Sequence, residues 1–418
     1  KYTRKGPSVC NKDEVGYIRR GMPFIMEKEG IKMKRFYTAE AVTSGHPDKL
    51  CDLIADSILD ECLKGDSESK VACEVMATKG KIYIAGEITS KQKIYPAEIA
   101  DRVLESVGYS TEDIEVEVQL HQQSVDIKRA VEKSREKRSG LDKAQKELEY
   151  GAGDQGVMIG YACDETSQLM PMPVVLANKI AMELYSAGRT KFIEGLLPDG
   201  KVQVTVAYED EKPVYIDTIV VSCQHREDVN LRKLTNQIKE GILKKIFRIL
   251  PMEDENRIFI NPSGRFVIGG LEADTGLTGR KLMVDTYGSM VSHGGGAFSG
   301  KDCTKVDRSG AYMARYIAKN LVVAGLASRC QVSLAYAIGI AKPVMVEIDT
   351  FGTGKVCADD CLAEAVKRVF GLTPYEIIKT LRLQRPIYRR TATYGHFGRK
   401  EFPWERTDKV QELRDMVM

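Results

Sequence analysis

Residues 149–161, Glu149-Tyr150-Gly151-Ala152-Gly153-Asp154-Gln155-Gly156-Val157-Met158-Ile159-Gly160-Tyr161, decide between two fold classes. The glycine-rich half, Gly151 to Gly156, fits GxGxxG, the dinucleotide-binding turn of a doubly wound parallel sheet. That turn requires an apolar strand before it and a helix after it. Here Lys146 to Tyr150 is not apolar, and Val157 to Tyr161 reads as a strand. Asp154, inside the loop, would also repel a pyrophosphate. The dinucleotide reading fails. What remains is a tight turn that presents Asp154 to a polar or cationic group.

Outward from this stretch, helical and strand periodicities alternate. Asp48 to Leu63 places Leu50, Ile54, Ile58 and Cys62 on one helical face. Lys81 to Ile88, Ile114 to Leu120 and Val202 to Val206 alternate with period two, and Val214 to Val221 reads as a further strand. Ser309 to Val323 is a helix with Ala314, Ile317, Ala318 and Leu321 inward and Gly325 just past its end, and Gln331 to Ile340 returns to strand. Antiparallel sheets with one covered face and interspersed helices fit this order better than strict βαβ repetition. The fold class is α+β, and no tandem sequence repeat stands out.

Composition narrows the function. The chain has 418 residues, enough for two or three cores, and 62 Lys+Arg against 59 Asp+Glu leave a formal charge of +3. A general nucleic-acid binder carries a stronger basic bias, so any affinity for polyanions is local. The most apolar stretch, Leu321 to Ile348, is broken by Arg329, Gln331 and Lys342, so no membrane span is expected. Ten scattered cysteines without a CxxC pair read as reduced thiols of a cytoplasmic protein. Residues 1–33 lack sustained periodicity and read as an N-terminal extension. Lys128 to Glu149, with eight basic and five acidic residues, reads as a mobile loop or exposed helix. A solvated linker is the commoner case, although such loops beside glycine-rich sites act as lids.

Three further segments carry candidate chemistry. Gly295 to Lys301 fits GxxxxGK, but Asp302 stands where a phosphate-binding P-loop needs Ser or Thr. Its glycines still permit close backbone approach to phosphate, with Lys301 and Lys305 nearby and Asp307 placed for a magnesium ion that phosphates would share. Ser44-Gly45-His46-Pro47-Asp48-Lys49 opens a helix, whose N–H groups and dipole favour an anion. Arg280-Lys281 follows a glycine-rich loop that includes Asp274. Singly each segment has an ordinary structural explanation. Together they supply cations, carboxylates and backbone donors for a nucleoside polyphosphate.

The segments His46 to Lys49, Gly151 to Gly156, Gly264 to Gly270, Gly294 to Asp302 and Tyr394 to Arg399 resemble, in order, the signatures of the S-adenosylmethionine synthetase (methionine adenosyltransferase) family. The resemblance implies three similar α/β-sandwich domains in a pseudo-threefold arrangement, with boundaries at 34–127, 151–268 and 269–418 and an active-site loop at 128–150. It implies that ATP and L-methionine react at C5′ of the ribose, with loss of triphosphate that is then hydrolysed. It further implies two magnesium ions per site, potassium, and a homodimer with shared active sites, usually paired as a homotetramer.

Carried onto this sequence, the family's catalytic set is His46, Lys201, Arg280 and Lys301. Asp199, Arg265, Phe266, Asp274, Lys281 and Ala297 complete the ATP site. Glu87, Gln123, Asp154, Asp274 and Lys305 orient methionine. Asp48 and Asp307 hold magnesium and Glu74 potassium. The sequence departs from the family's pattern at Ala273 and Val125, and its charged loop is longer than usual. A tripolyphosphatase or ATPase that has lost methionine transfer, and a non-catalytic regulatory subunit, are the alternatives. The first would lack Glu87, Gln123 or Asp274, and the second several cations or metal ligands. All are present.

Overall fold

The computed structural model describes residues 34–140 and 146–418; the N-terminal extension lies outside them. One succession of elements occurs three times. First come β1 (Lys34–Val42), a helix Pro47–Gly65, β2 (Lys70–Thr78), β3 (Lys81–Thr89), a helix Pro96–Val107 and β4 (Glu115–His121). The second run is β5 (Gly156–Cys163), a helix Met172–Arg189, β6 (Leu196–Glu209), β7 (Lys212–His225), a helix Leu231–Ile238 and β8 (Ile258–Ile260). The third is β9 (Gly276–Leu277), a helix Val306–Val323, β10 (Arg329–Tyr336), β11 (Met345–Asp349) and a helix Asp359–Val369. Its fourth strand is replaced by helical segments ending at Val410–Val417.

The three sheets have the orders β4-β3-β2-β9, β8-β7-β6-β1 and β11-β10-β5. Each run therefore gives its first strand to another run's sheet: β1 pairs with β6, β5 with β10 and β9 with β2. The exchange is cyclic, which makes the three domains equivalent in topology although no sequence repeat is visible. Two of the sheets are mixed, and the β11-β10-β5 sheet is purely antiparallel. β3 with β4 and β7 with β8 pair in parallel, because in both cases a helix returns the chain to the start of the sheet edge.

Local sequence explains the tight connections. The β6–β7 hairpin turns on Asp210 and Glu211, both at positive φ (49° and 63°), as a type I′ turn requires. Leu50, Ile54, Ile58 and Cys62 are fully buried on the first helix, as their spacing predicts. So are Ala314, Ile317, Ala318 and Leu321, on a helix buried on nearly every side. β5 crosses that helix at Gly160, where a Cβ would lie 2.0 Å from the Ala314 carbonyl carbon. Val157 to Tyr161 is indeed a strand, and the Gly151–Gly156 turn before it carries no dinucleotide architecture.

The charged segment differs from a bare linker. It contains helices Val125–Glu132 and Arg135–Ser139 and a 3-10 turn Lys146–Leu148. Val131, Ser134 and Leu148 are buried in it. Arg135 N–H donates to Gly339 O (2.8 Å), and the Glu136 carboxylate accepts from the N–H groups of Ala341 and Lys342 at 3.1–3.3 Å.

Candidate active site

His46 caps the first helix, with Pro47 in its first turn. Asp48 N–H donates to His46 Nδ1 at 3.2 Å. In a neutral imidazole that leaves the proton on Nε2, where it can donate outward. Burial, then the Lys281 ammonium, pushes the ring's pKa down to about 4 against the opposing Asp48; Lys201 and Asp274 also act on it. His46 is therefore uncharged at neutral pH.

Asp48 Oδ2 pairs with Lys281 Nζ at 2.5 Å, its Oδ1 accepts from Leu277 N–H at 3.0 Å, and Arg280 Nε stands 3.9 Å away. Burial raises the Asp48 carboxyl, but Lys281 and Leu277 N–H outweigh it and hold the group below the usual carboxylate range. Lys201, at the end of β6, pairs with Glu40 of β1 at 3.0 Å. Asp199, pushed up to about 6 by burial, accepts from Gly270 N–H at 2.8 Å. Gln224 and His225 tie the segment from Arg265 to Gly270 to this edge: Phe266 N–H donates to His225 Nε2 (3.1 Å) and Gln224 Nε2 to Val267 O (3.0 Å). Arg265 itself is exposed and paired with Glu227.

A second group lines a cavity of about 300 Å³: Glu87, Gln123, Asp154, Lys301, Lys305 and Asp307, with His121 beside Glu87. Lys301 Nζ holds Asp307 Oδ2 at 2.7 Å, and Lys305 pairs with Asp302. Asp154 accepts from its own turn, at Gln155 N–H (2.7 Å). Glu74 projects from β2, where Lys301 and Glu87 act on its charge, and Ala72 bridges to Lys301.

The glycine loop 294–301 joins the groups. A Cβ at Gly279 would lie 2.4 Å from Ala297 Cβ, while one at Gly296 would meet the Asp307 carboxylate. The sequence thus reads two groups as one site, and the structure brings them against adjacent residues of one loop, Ala297 and Gly296. Asp274 belongs with His46 and Asp199 rather than in the second cavity.

Five residues behind the site escaped the sequence reading. The first helix carries Asp48, Asp52, Asp56 and Asp60, four residues apart. Asp52 and Asp56 are fully buried, paired respectively with Lys49 (2.9 Å) and Arg308 (2.7 Å), and Lys49 also pairs with Asp285. The fourfold recurrence of aspartate was the available signal, but Asp285 and Arg308 lie more than 200 residues from Lys49 and Asp56.

Among the described residues, no three His, Cys, Asp or Glu side chains gather into a metal cage. Single carboxylates do face the site, and that suits magnesium, which takes one or two carboxylates plus substrate phosphates and water. No helix of the described residues is long and apolar enough to cross a membrane.

Family models for S-adenosylmethionine synthetase match this chain three times: the N-terminal domain at residues 34–134, the central domain at 149–266 and the C-terminal domain at 268–406. The chain belongs to the S-adenosylmethionine synthetase family. With the complete domain set it is a methionine adenosyltransferase, and adenosyl transfer is its general reaction.

Proposed function

We propose that the chain transfers the adenosyl group of ATP to the sulfur of L-methionine and then hydrolyses the bound triphosphate to pyrophosphate and phosphate. One observation carries most weight in this reading. Two helices, Pro47–Gly65 and Val306–Val323, open toward the site, each with a carboxylate in its first turn held by a lysine from a glycine-rich loop: Asp48 with Lys281, and Asp307 with Lys301. Helix N-termini favour anions, and each ion pair can exchange partners when a magnesium polyphosphate arrives. The lysine would then be free for phosphate oxygen, and the aspartate would be the residue to hold the metal.

A thioether attacks without losing a proton, so the protein has no general base to supply. Its tasks are alignment of sulfur with C5′ and stabilisation of charge on the departing triphosphate. His46 Nε2–H donates to the leaving oxygen as a neutral group. Arg280, Lys281, Lys201 and Lys301 neutralise the remaining charge, with Asp199, Arg265, Phe266 and Ala297 around the nucleotide. Glu87, Gln123, Asp154 and Lys305, with Asp274 from the other group, hold methionine's ammonium and carboxylate. Asp48 and Asp307 would hold magnesium, which would supply further positive charge to the phosphates, and Glu74 would hold potassium. In this reading the two groups are completed across a homodimer, itself paired as a tetramer, and the enzyme works in the cytoplasm.

Mass-spectrometric analysis after incubation with ATP, L-methionine, magnesium and potassium tests the reading. S-adenosylmethionine together with pyrophosphate and phosphate, all dependent on methionine, is expected. Phosphate release without S-adenosylmethionine would replace it with the tripolyphosphatase alternative.

A further inference from the structure

We propose that Asp52 and Asp56 are positioning residues that set the spacing of the polyphosphate-binding cations; the inference rests on the function proposed above. Asp52 Oδ1 accepts the N–H of Gly279 at 2.9 Å, and Asp56 Oδ1 accepts the N–H of Gly300 at 2.9 Å. Both glycines have left-handed backbone, with φ of 71° and 80°, which side-chain-bearing residues rarely adopt. Each immediately precedes the cations of its loop, Arg280-Lys281 in one case and Lys301 in the other. Two loops distant in sequence therefore present their charges through the same local device.

The device is held from behind. Asp52 Oδ2 takes Lys49 at 2.9 Å, and Lys49 is shared with Asp285. Arg308 grips both oxygens of Asp56, at 2.7 and 2.8 Å, and also donates to the carbonyls of Phe298 and Lys301 on either side of Gly300. All four charged side chains, Lys49, Asp52, Asp56 and Arg308, are fully buried, so none of them meets substrate. As mere core ion pairs they would contribute little over apolar packing. What the pairs add is a carboxylate oxygen aimed at one backbone N–H in each cation loop.

Four residues of α-helix rise about 6 Å. The first helix therefore acts as a ruler: it fixes the distance between the two anchored glycines, and with it the separation of the cations that bracket a linear triphosphate, before any substrate binds. Such preorganisation is read in the affinity for triphosphate and in turnover.

The test uses Asp52→Asn in the full chain. An amide has one acceptor oxygen, and its NH2 cannot face the Lys49 ammonium, so the oxygen turns to Lys49 and the Gly279 N–H loses its acceptor. Lys49 keeps Asp285 as its partner, so the substitution leaves no buried cation uncompensated. Calorimetric titration with inorganic tripolyphosphate and magnesium is expected to show binding weakened at least tenfold. The unfolding midpoint should stay close to wild type. A folded variant that binds tripolyphosphate like wild type would overturn the proposal. Should the variant not fold, amide hydrogen exchange of the wild type decides. Protection of the Gly279 and Gly300 amides already present without ligand upholds the anchoring, and exchange as fast as that of an unstructured loop overturns it. A wild-type chain that neither binds tripolyphosphate nor makes S-adenosylmethionine would instead strike the proposed function itself.

Discussion

At the scale of single residues, His46 has two properties that measurement can separate. In the role proposed for it, neutral donor to the leaving triphosphate, it would act mainly in the transition state. Replacing it, His46→Ala, is expected to lower turnover on the order of 10²–10³, the range found for single oxyanion-type donors. Steady-state rates of S-adenosylmethionine formation check this, and near-normal turnover would remove His46 from the chemistry. Its depressed pKa makes a second prediction. In the unfolded chain the ring protonates near 6.5, and in the fold only near 4, so the folded state disfavours the proton. The associated stability is fully present above pH 6.5 and is lost as pH falls toward 4. The shift corresponds to about 3 kcal/mol. Urea unfolding of wild type and His46→Asn at pH 7 and pH 4 should differ by an amount of that order, with wild type losing more on acidification. Sequence showed that a histidine opens a helix beside a proline and an aspartate. It could not show which ring nitrogen is occupied, because that depends on the Asp48 N–H, nor that Lys281 stands opposite.

At the scale of elements, the segment 125–149 shows where charge counting stops being informative. Thirteen charged residues between Lys128 and Glu149 suggest a solvated linker. The structure pins it instead through three inward residues, Val131, Ser134 and Leu148, and through the Glu136 carboxylate on the Ala341 and Lys342 amides. Three buried positions in so charged a run make no periodicity, so the sequence could not reveal them. The helices Pro47–Gly65 and Val306–Val323 were legible for the opposite reason: each repeats apolar residues at helical spacing over four turns or more. Glu136 is half-buried, and hydrogen bonds to a charged group contribute about 1.5–3 kcal/mol each. Glu136→Gln keeps one acceptor and loses the charge. We expect local opening of Arg135–Ser139 to become about tenfold more frequent, a change of ~1.4 kcal/mol, with little movement of the global unfolding midpoint. Hydrogen-exchange mass spectrometry of peptides covering that helix checks it. Unchanged exchange would show that the Arg135–Gly339 backbone bond and the buried Val131, Ser134 and Leu148 hold the segment without the Glu136 carboxylate.

At the scale of the whole molecule, the cyclic exchange of first strands does more than tie three domains together. The long helix of each run begins at a topologically equivalent position: after His46, after Pro171 and after Lys305. Two of these starts carry an aspartate in the first turn, Asp48 and Asp307, and both belong to the candidate site. The third starts Met172-Pro173 with no acidic residue, and so contributes scaffold. The same exchange leaves no run complete by itself. The central run, residues 149–266, buries β6 between β7 and a strand from the beginning of the chain, and Val202, Val204 and Val206 of β6 are fully buried. Without β1 that run exposes an open strand edge and part of its apolar face, which favours association over folding. Residues 149–266 expressed alone are therefore expected to show no cooperative thermal transition, by circular dichroism or calorimetry. The peptide Lys34–Val42 added in trans should restore one, because it supplies nine registered pairs from Lys34 opposite Glu209 to Val42 opposite Lys201. Cooperative unfolding of the central run without the peptide would show that its own helix and hairpin suffice, and that the strand exchange serves the site rather than the stability of each domain.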